Sequence, residues 1–202
     1  KKNQNNHPFP GKVNGLHFAL VHNGVLTNDD ILRVSLKLPK TKIETDSYVA
    51  VQLLMSQKNL DFESIKYMAE KTEGSFSYSI LDDENNIWLV KGDSPISILH
   101  FPKLKVYVYA STDEILYKAL IDYSPLFSAL KKGEFEEIKI DEGEILKIRV
   151  NGTLEKKTFE YSHYYGRGWW EYDFFSKGKS GDKKVDNEYL ETLKDVAVFQ
   201  GY

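Results

Sequence analysis

The sequence predicts a layered α+β domain, and three observations predict it. Helical patterns cluster between one early strand and a long later run of strand patterns, with a single helical stretch embedded among them. The later strands are separated by short turn signals, Asp82–Asn86 and Asn151-Gly152, which suit antiparallel neighbours. No internal repeat and no phosphate-cradling glycine-rich loop occurs, so nothing points to a doubly wound parallel sheet.

The elements follow in order. Residues Lys1 to Gly15, with His7-Pro8-Phe9-Pro10-Gly11, read as a loop on proline and glycine density. Leu16 to Val21 is an apolar run that reads as a buried strand stopping at a tight His22-Asn23-Gly24 turn. Thr27 or Asn28 then caps a short helix, with Asp29 and Asp30 in its first turn, Ile31, Leu32 and Leu36 on its apolar face, and Pro39 ending it. Thr45-Asp46-Ser47 is a second capping cluster, opening a helix in which Val49/Leu53 and Ala50/Leu54 stack. A third helix is expected over 61–71, burying Phe62, Ile65, Met68 and Ala69.

Ser75 to Leu81 alternates small polar with large apolar residues, the period of a half-buried strand. Ile87 to Val90 pairs back on it as a hairpin, and Ile96–Phe101 and Val106–Ala110 are expected to continue the sheet. Asp113–Ile121 reads as a helix with Ile115, Leu116 and Ala119 inward, and Ser124–Leu130 as a short helical piece. Phe135–Ile140, Gly143–Val150 and Thr153–Tyr161 read as a closing antiparallel meander, the last two joined by a two-residue Asn151-Gly152 turn.

Composition narrows the class of partner. The 202 residues are 41% hydrophobic and 28% charged, ordinary for a globular chain, and the net charge of -3 gives no electrostatic case for nucleic acid or an anionic membrane. No apolar stretch is long enough to span a bilayer. The absence of cysteine removes disulfides, thiolate metal sites and a cysteine nucleophile from these residues. His17, His100 and His163 show no ligand spacing, so neither a metal nor a cofactor is expected.

The chemistry concentrates at His22-Asn23-Gly24. Asn23 offers a side-chain amide donor, and Gly24, without a Cβ, offers an approachable N–H and tolerates positive φ. Two adjacent donors at a strand end are what an oxyanion hole requires. The same Asn-Gly pair also makes hairpin turns with no chemistry.

Several motifs recur in a fixed order: His7-Pro8-Phe9; Val21-His22-Asn23-Gly24 with Asn28 opening a helix; Glu44-Thr45-Asp46; Gly74-Ser75-Phe76; Gly92-Asp93-Ser94-Pro95; and Ala110-Ser111-Thr112-Asp113. Together, over about residues 7 to 160, they resemble the glutaminase domain of class II glutamine amidotransferases. The resemblance implies an N-terminal-nucleophile hydrolase fold, a four-layer αββα sandwich of mainly antiparallel sheets with its N-terminal strands missing here. It implies that the Asn23 amide and the Gly24 N–H form an oxyanion hole for glutamine hydrolysis. It also implies that Asp46 and His22 belong to the substrate-binding wall. Asp46 would hold the α-amino group of L-glutamine, His22 would be structural, and Ser94-Pro95 would shape a wall or turn. A bare helix-capping role for Asp46 is the alternative.

The family's nucleophile is an N-terminal cysteine, and it clamps the glutamine carboxylate with an arginine and threonine just before the His-Pro motif. None of these is present, so the expectation is that they precede Lys1 and that these residues are inactive alone. The competing expectations are an inactive module of the same fold, kept for protein contact or glutamine sensing, and an amide hydrolase of the same superfamily with another substrate. The expected division is an amidotransferase domain over 1–161, N-terminally incomplete, and an appended 162–202: an aromatic-rich tail, a Gly/Lys-rich linker and a helix over 185–199. The aromatic stretch Tyr164 to Phe175 is expected either to cover the domain or to dock an acceptor domain, a partner subunit or a second copy. The thiol chemistry implies the cytoplasm.

Overall fold

A computed structural model describes residues 3–161. The chain divides into two units, Lys1–Tyr164 and Tyr165–Tyr202, and every described residue belongs to the first. The aromatic stretch and the last expected helix lie outside the described residues.

The first sheet is built from β1 (Phe9–Val13), β2 (Leu16–Leu26), β3 (Gly74–Asp82), β4 (Ile87–Lys91), β8 (Glu144–Ile148) and β9 (Leu154–Thr158), in that spatial order. The second holds β6 (Val106–Ala110), β5 (Ser97–Phe101) and β7 (Glu136–Glu137), also in that order. Every pairing is antiparallel. Helices α1 (Asp29–Ser35), α2 (Tyr48–Met55) and α3 (Phe62–Lys71) follow β2, while α4 (Asp113–Ile121) and α5 (Ser124–Lys131) follow β6.

Side-chain alternation makes the layers. One face of the first sheet sends Leu20, Phe76, Tyr78, Ile80, Trp88 and Ile145 into a core shared with Val49, Leu53, Ile65 and Met68 of α2 and α3. The opposite face sends Leu89, Leu146 and Ile148 into a second cluster with Ile98 of β5 and Ile140. Ser79 and Tyr109 exchange a hydroxyl hydrogen bond of 2.7 Å from β3 to β6. The order is therefore helices, sheet, sheet, helices, the expected αββα sandwich with mainly antiparallel sheets.

Several local expectations give way. The 1–15 loop contains β1, because Phe9 and Val13 are buried and pull the chain into the sheet. Pro10 is tolerated there because β1 is an edge strand and the missing N–H faces outward. Gly11 leaves room for the Phe18 ring, which a Cβ would meet at 2.2 Å. The hairpin signal that operates in this region is Asn14-Gly15, both at positive φ, between the paired Val13 and Leu16.

β2 does not stop at His22-Asn23-Gly24. It continues to Leu26 because β3 supplies a partner for every residue from Phe18 onward, including His22↔Tyr78, Asn23↔Ser77 and Gly24↔Phe76. From Phe76 to Ile80 β3 is buried on both faces, not half-buried: Ser77 and Ser79 are buried along with Phe76, Tyr78 and Ile80, and Ser79 bonds Tyr109 of the second sheet. β5 and β6 open the second sheet instead of continuing the first, and β7 joins them by pairing with β5, so the terminal meander is only β8 and β9. Their turn is longer than two residues: Arg149 N–H bonds the Thr153 carbonyl at 2.9 Å, with Gly152 at φ 84.

The helices also shift. α1 ends at Ser35, before Pro39, where Lys37 takes a positive φ; it buries Leu32 but leaves Ile31 and Val34 exposed. α4 turns Leu116, Tyr117 and Leu120 inward, leaving Ile115 and Ala119 exposed. α3 follows expectation, with an Asp61–Ser64 capping box and Ile65, Met68 and Ala69 buried; Phe62 is only partly covered.

Candidate active site at the end of strand β2

Main-chain directions set the site. Phe76 donates its N–H to Asp93 Oδ1 at 3.0 Å and its carbonyl accepts the Gly92 N–H at 3.0 Å, both on the β4 side. Main-chain groups in an antiparallel strand alternate sides, so Ser75 and Ser77 face β2. Gly24, opposite Phe76, therefore turns its N–H away from β3. It faces the edge that β1 leaves uncovered, since β1 pairs β2 only as far as Leu20.

Leu26 points to the same edge. Its N–H donates to Asp46 Oδ2 at 2.7 Å. Two residues of strand separate Gly24 from Leu26, about 7 Å. The Asp46 carboxylate and the Gly24 N–H thus share one edge of β2.

Gly24 is required where it stands. Its φ is 138, and a Cβ there would lie 1.9 Å from the Ser75 carbonyl oxygen. The expected positive φ is present, although the residue is in a strand and not in a turn. Asn23 is exposed on the strand face opposite buried His22, and no described residue bonds its amide.

Asp46 does not cap α2. The N-cap is Ser47, which makes no capping hydrogen bond; Asp46 reaches across to β2 instead. The Ser47 hydroxyl lies 3.3 Å from Asp46 Oδ1 and 2.9 Å from His22 Nδ1. His22 Nε2 faces the Ser75 carbonyl at 3.4 Å, and its ring lies 4.9 Å from that of Tyr78. Burial pushes the His22 pKa down, opposed by the charge of Asp46. His7 is lowered too, by burial first and against Asp46.

Around this cluster the chain is tied tightly. Ser75 and Ser94 share a hydroxyl hydrogen bond of 2.7 Å, which ties the segment after β4 to the start of β3. The Tyr161 hydroxyl donates to the Gly74 carbonyl at 3.2 Å. Asn28 does not cap α1 with its side chain; it bonds the Lys71 carbonyl at 2.9 Å and accepts the Glu73 N–H at 3.0 Å, joining α1 to the start of β3. Asn5 accepts the Glu44 N–H at 3.2 Å, holding the segment before β1 beside the Asp46 loop.

The four residues singled out from sequence therefore lie in two groups. His22 and Asp46 are joined through Ser47. Gly24 shares the edge with Asp46, and Asn23 projects from the other face one residue away. Sequence reasoning missed Ser47, whose place in Thr45-Asp46-Ser47 reads as a cap, and missed the Leu26 N–H, which carries no side-chain signal. Among the described residues no group of three or more His, Cys, Asp or Glu could hold a metal ion, and no helix is long and apolar enough to cross a membrane.

Residues 1–118 match the family described as "Glutamine amidotransferase domain". The chain is 31% identical over 105 residues to a glutamine–fructose-6-phosphate aminotransferase (isomerizing) from Bacillus thuringiensis, covering 46% of this chain and 18% of that protein. It is 25% identical over 152 residues to a 7-cyano-7-deazaguanine synthase from Sulfolobus acidocaldarius, covering 74% of this chain and 30% of that one. The chain thus spans less than a third of either relative. Among solved structures, the glutamine phosphoribosylpyrophosphate amidotransferase of B. subtilis matches with a TM-score of 0.60 at 20% identity, over 79% of this chain and 33% of that one, a likeness of fold. The chain belongs to the glutamine amidotransferase domain family, of the class II, N-terminal-nucleophile type.

Proposed function

We propose that residues 1–161 are a domain that hydrolyses the side-chain amide of L-glutamine to glutamate and ammonia, using a cysteine thiol supplied from outside these residues. Asn23, through its amide, and Gly24, through its N–H, stabilise the tetrahedral oxyanion. Asp46 binds the α-ammonium of glutamine by a charge-assisted hydrogen bond, and His22 stands behind it as a structural member of the pocket. The single observation that carries this reading is the shared β2 edge, where the Gly24 N–H lies about two residues from the Leu26 N–H that anchors Asp46. Ammonia then passes to an acceptor domain or partner subunit, for which Tyr164 to Phe175 is the proposed docking stretch. A thiol nucleophile suits the reducing cytoplasm.

The test is glutamate release by the protein carrying its own N-terminus. Asn23→Ala should lower turnover by about 10²–10³, the cost of one oxyanion donor, with a small change in KM. Unchanged turnover removes Asn23 from the site. The absence of cysteine from these residues favours one second reading, a module that binds glutamine without turning it over. Binding without glutamate release from that same protein selects it.

A further inference from the structure

The proton count at Ser47 carries an inference that rests on the glutamine reading above. Ser47 Oγ has one proton and two acceptors within reach: Asp46 Oδ1 at 3.3 Å and His22 Nδ1 at 2.9 Å. Given to the imidazole, the proton would leave an oxygen lone pair facing a carboxylate. Given to Asp46, it leaves Ser47 Oγ free to accept from a protonated Nδ1. The second arrangement alone makes both Ser47 contacts hydrogen bonds, running His22 Nδ1–H to Ser47 Oγ–H to Asp46 Oδ1, and in a neutral ring it leaves Nε2 without a proton for the Ser75 carbonyl, the longer contact at 3.4 Å.

Asp46 Oδ2 is held independently by the Leu26 N–H at 2.7 Å. The carboxylate is therefore fixed from two elements, β2 through Leu26 and the N-terminus of α2 through Ser47. A carboxylate pinned at both oxygens keeps one orientation, and only its remaining lone pairs are available to a ligand. Ser47 is buried and Ser64, the other buried helix-start serine, sits in an ordinary capping box; Ser47 stands at the N-cap of α2, but its side chain makes no capping hydrogen bond. Its hydroxyl is committed sideways, to Asp46 and His22, at the expense of the helix end.

We infer that Ser47, backed by His22, is the positioning residue that fixes the Asp46 carboxylate for the α-ammonium of a bound amino acid amide, and so sets the preference for glutamine over amides lacking an amino group. Ser47 does not touch the ligand. It acts through Asp46.

Dissociation constants of the native protein for L-glutamine and for glutaramate, which keeps the amide and carboxylate but lacks the amino group, test this by calorimetry. Ser47→Ala should weaken glutamine binding about tenfold, the scale of one hydrogen bond to a charged group, and leave glutaramate binding unchanged. Ser47→Thr, which keeps the hydroxyl, should restore the preference. Should Ser47→Ala fold poorly, Ser47→Cys keeps the volume, weakens the donor and reads the same loss of preference. Equal weakening of both ligands, or an unaltered preference in Ser47→Ala or Ser47→Cys, overturns the role of Ser47 while leaving the glutamine reading intact. A wild-type protein that binds both ligands equally, or neither, overturns the glutamine reading and the role of Ser47 with it.

Discussion

Asp46 accepts the Leu26 N–H at 2.7 Å, tying the residue before the α2 N-cap to the last residue of β2. Carboxylates at helix starts usually serve the helix. This one serves a strand whose main chain would otherwise end unpaired on that side.

That bond separates structure from function at one position. Asp46→Ala removes the acceptor of a main-chain donor and should cost about 1–3 kcal/mol in urea unfolding. Asp46→Asn keeps an acceptor oxygen for Leu26 but loses the charge. It should unfold near the wild-type midpoint while binding glutamine at least about tenfold more weakly. Wild-type glutamine affinity in Asp46→Asn removes the ammonium role.

Gly24 should be the least replaceable glycine of the first sheet. Gly24→Ala meets both a positive φ and the rigid Ser75 carbonyl, and should cost about 3 kcal/mol or more. Gly11→Ala meets only the Phe18 ring, which can move, and should cost about 1–3 kcal/mol. Chemical denaturation of both variants checks the order; a Gly24→Ala protein as stable as Gly11→Ala contradicts the backbone geometry.

Stability should fall on mild acidification. His22 and His7 both have folded pKa values below the usual 6.5, burial being the first cause in each, with Asp46 opposing. Between those lowered values and 6.5 the unfolded chain binds more protons, so the contribution is full above 6.5 and is lost as pH drops through that window. The groups around His22 are Asp46, Ser47, the Ser75 carbonyl, Tyr78 and His7. The urea midpoint should decrease between about pH 7.5 and about pH 5.5. His22→Gln, which cannot titrate, should show a shallower decrease. An equal slope assigns the effect elsewhere.

The sequence by itself determined the class of fold, the helices and the motif order. Apolar spacing of 3.6 residues marks α3, with Ile65, Met68 and Ala69 on its buried face, because that pattern is local. Alternation likewise marks β3 and the turn into β4. Of the residues that carry the resemblance, the fold joins His22 to Asp46 through Ser47 and sets Gly24 on the same strand edge as Asp46, while Asn23 projects from the other face.

Only the tertiary structure decided where the strands end and what each polar residue touches. Asn14-Gly15 and Asn23-Gly24 are the same dipeptide, yet the first turns the chain and the second runs straight on because β3 pairs with it. Proline and glycine made β1 read as a loop, and burial of Phe9 and Val13 overrode them. Thr45-Asp46-Ser47 reads as a cap until β2 brings the Leu26 N–H and the His22 ring within reach, twenty and twenty-five residues away in sequence. A hydrogen bond forms with whatever donor the fold delivers, and that delivery depends on strand pairing over long separations, which local spacing does not encode.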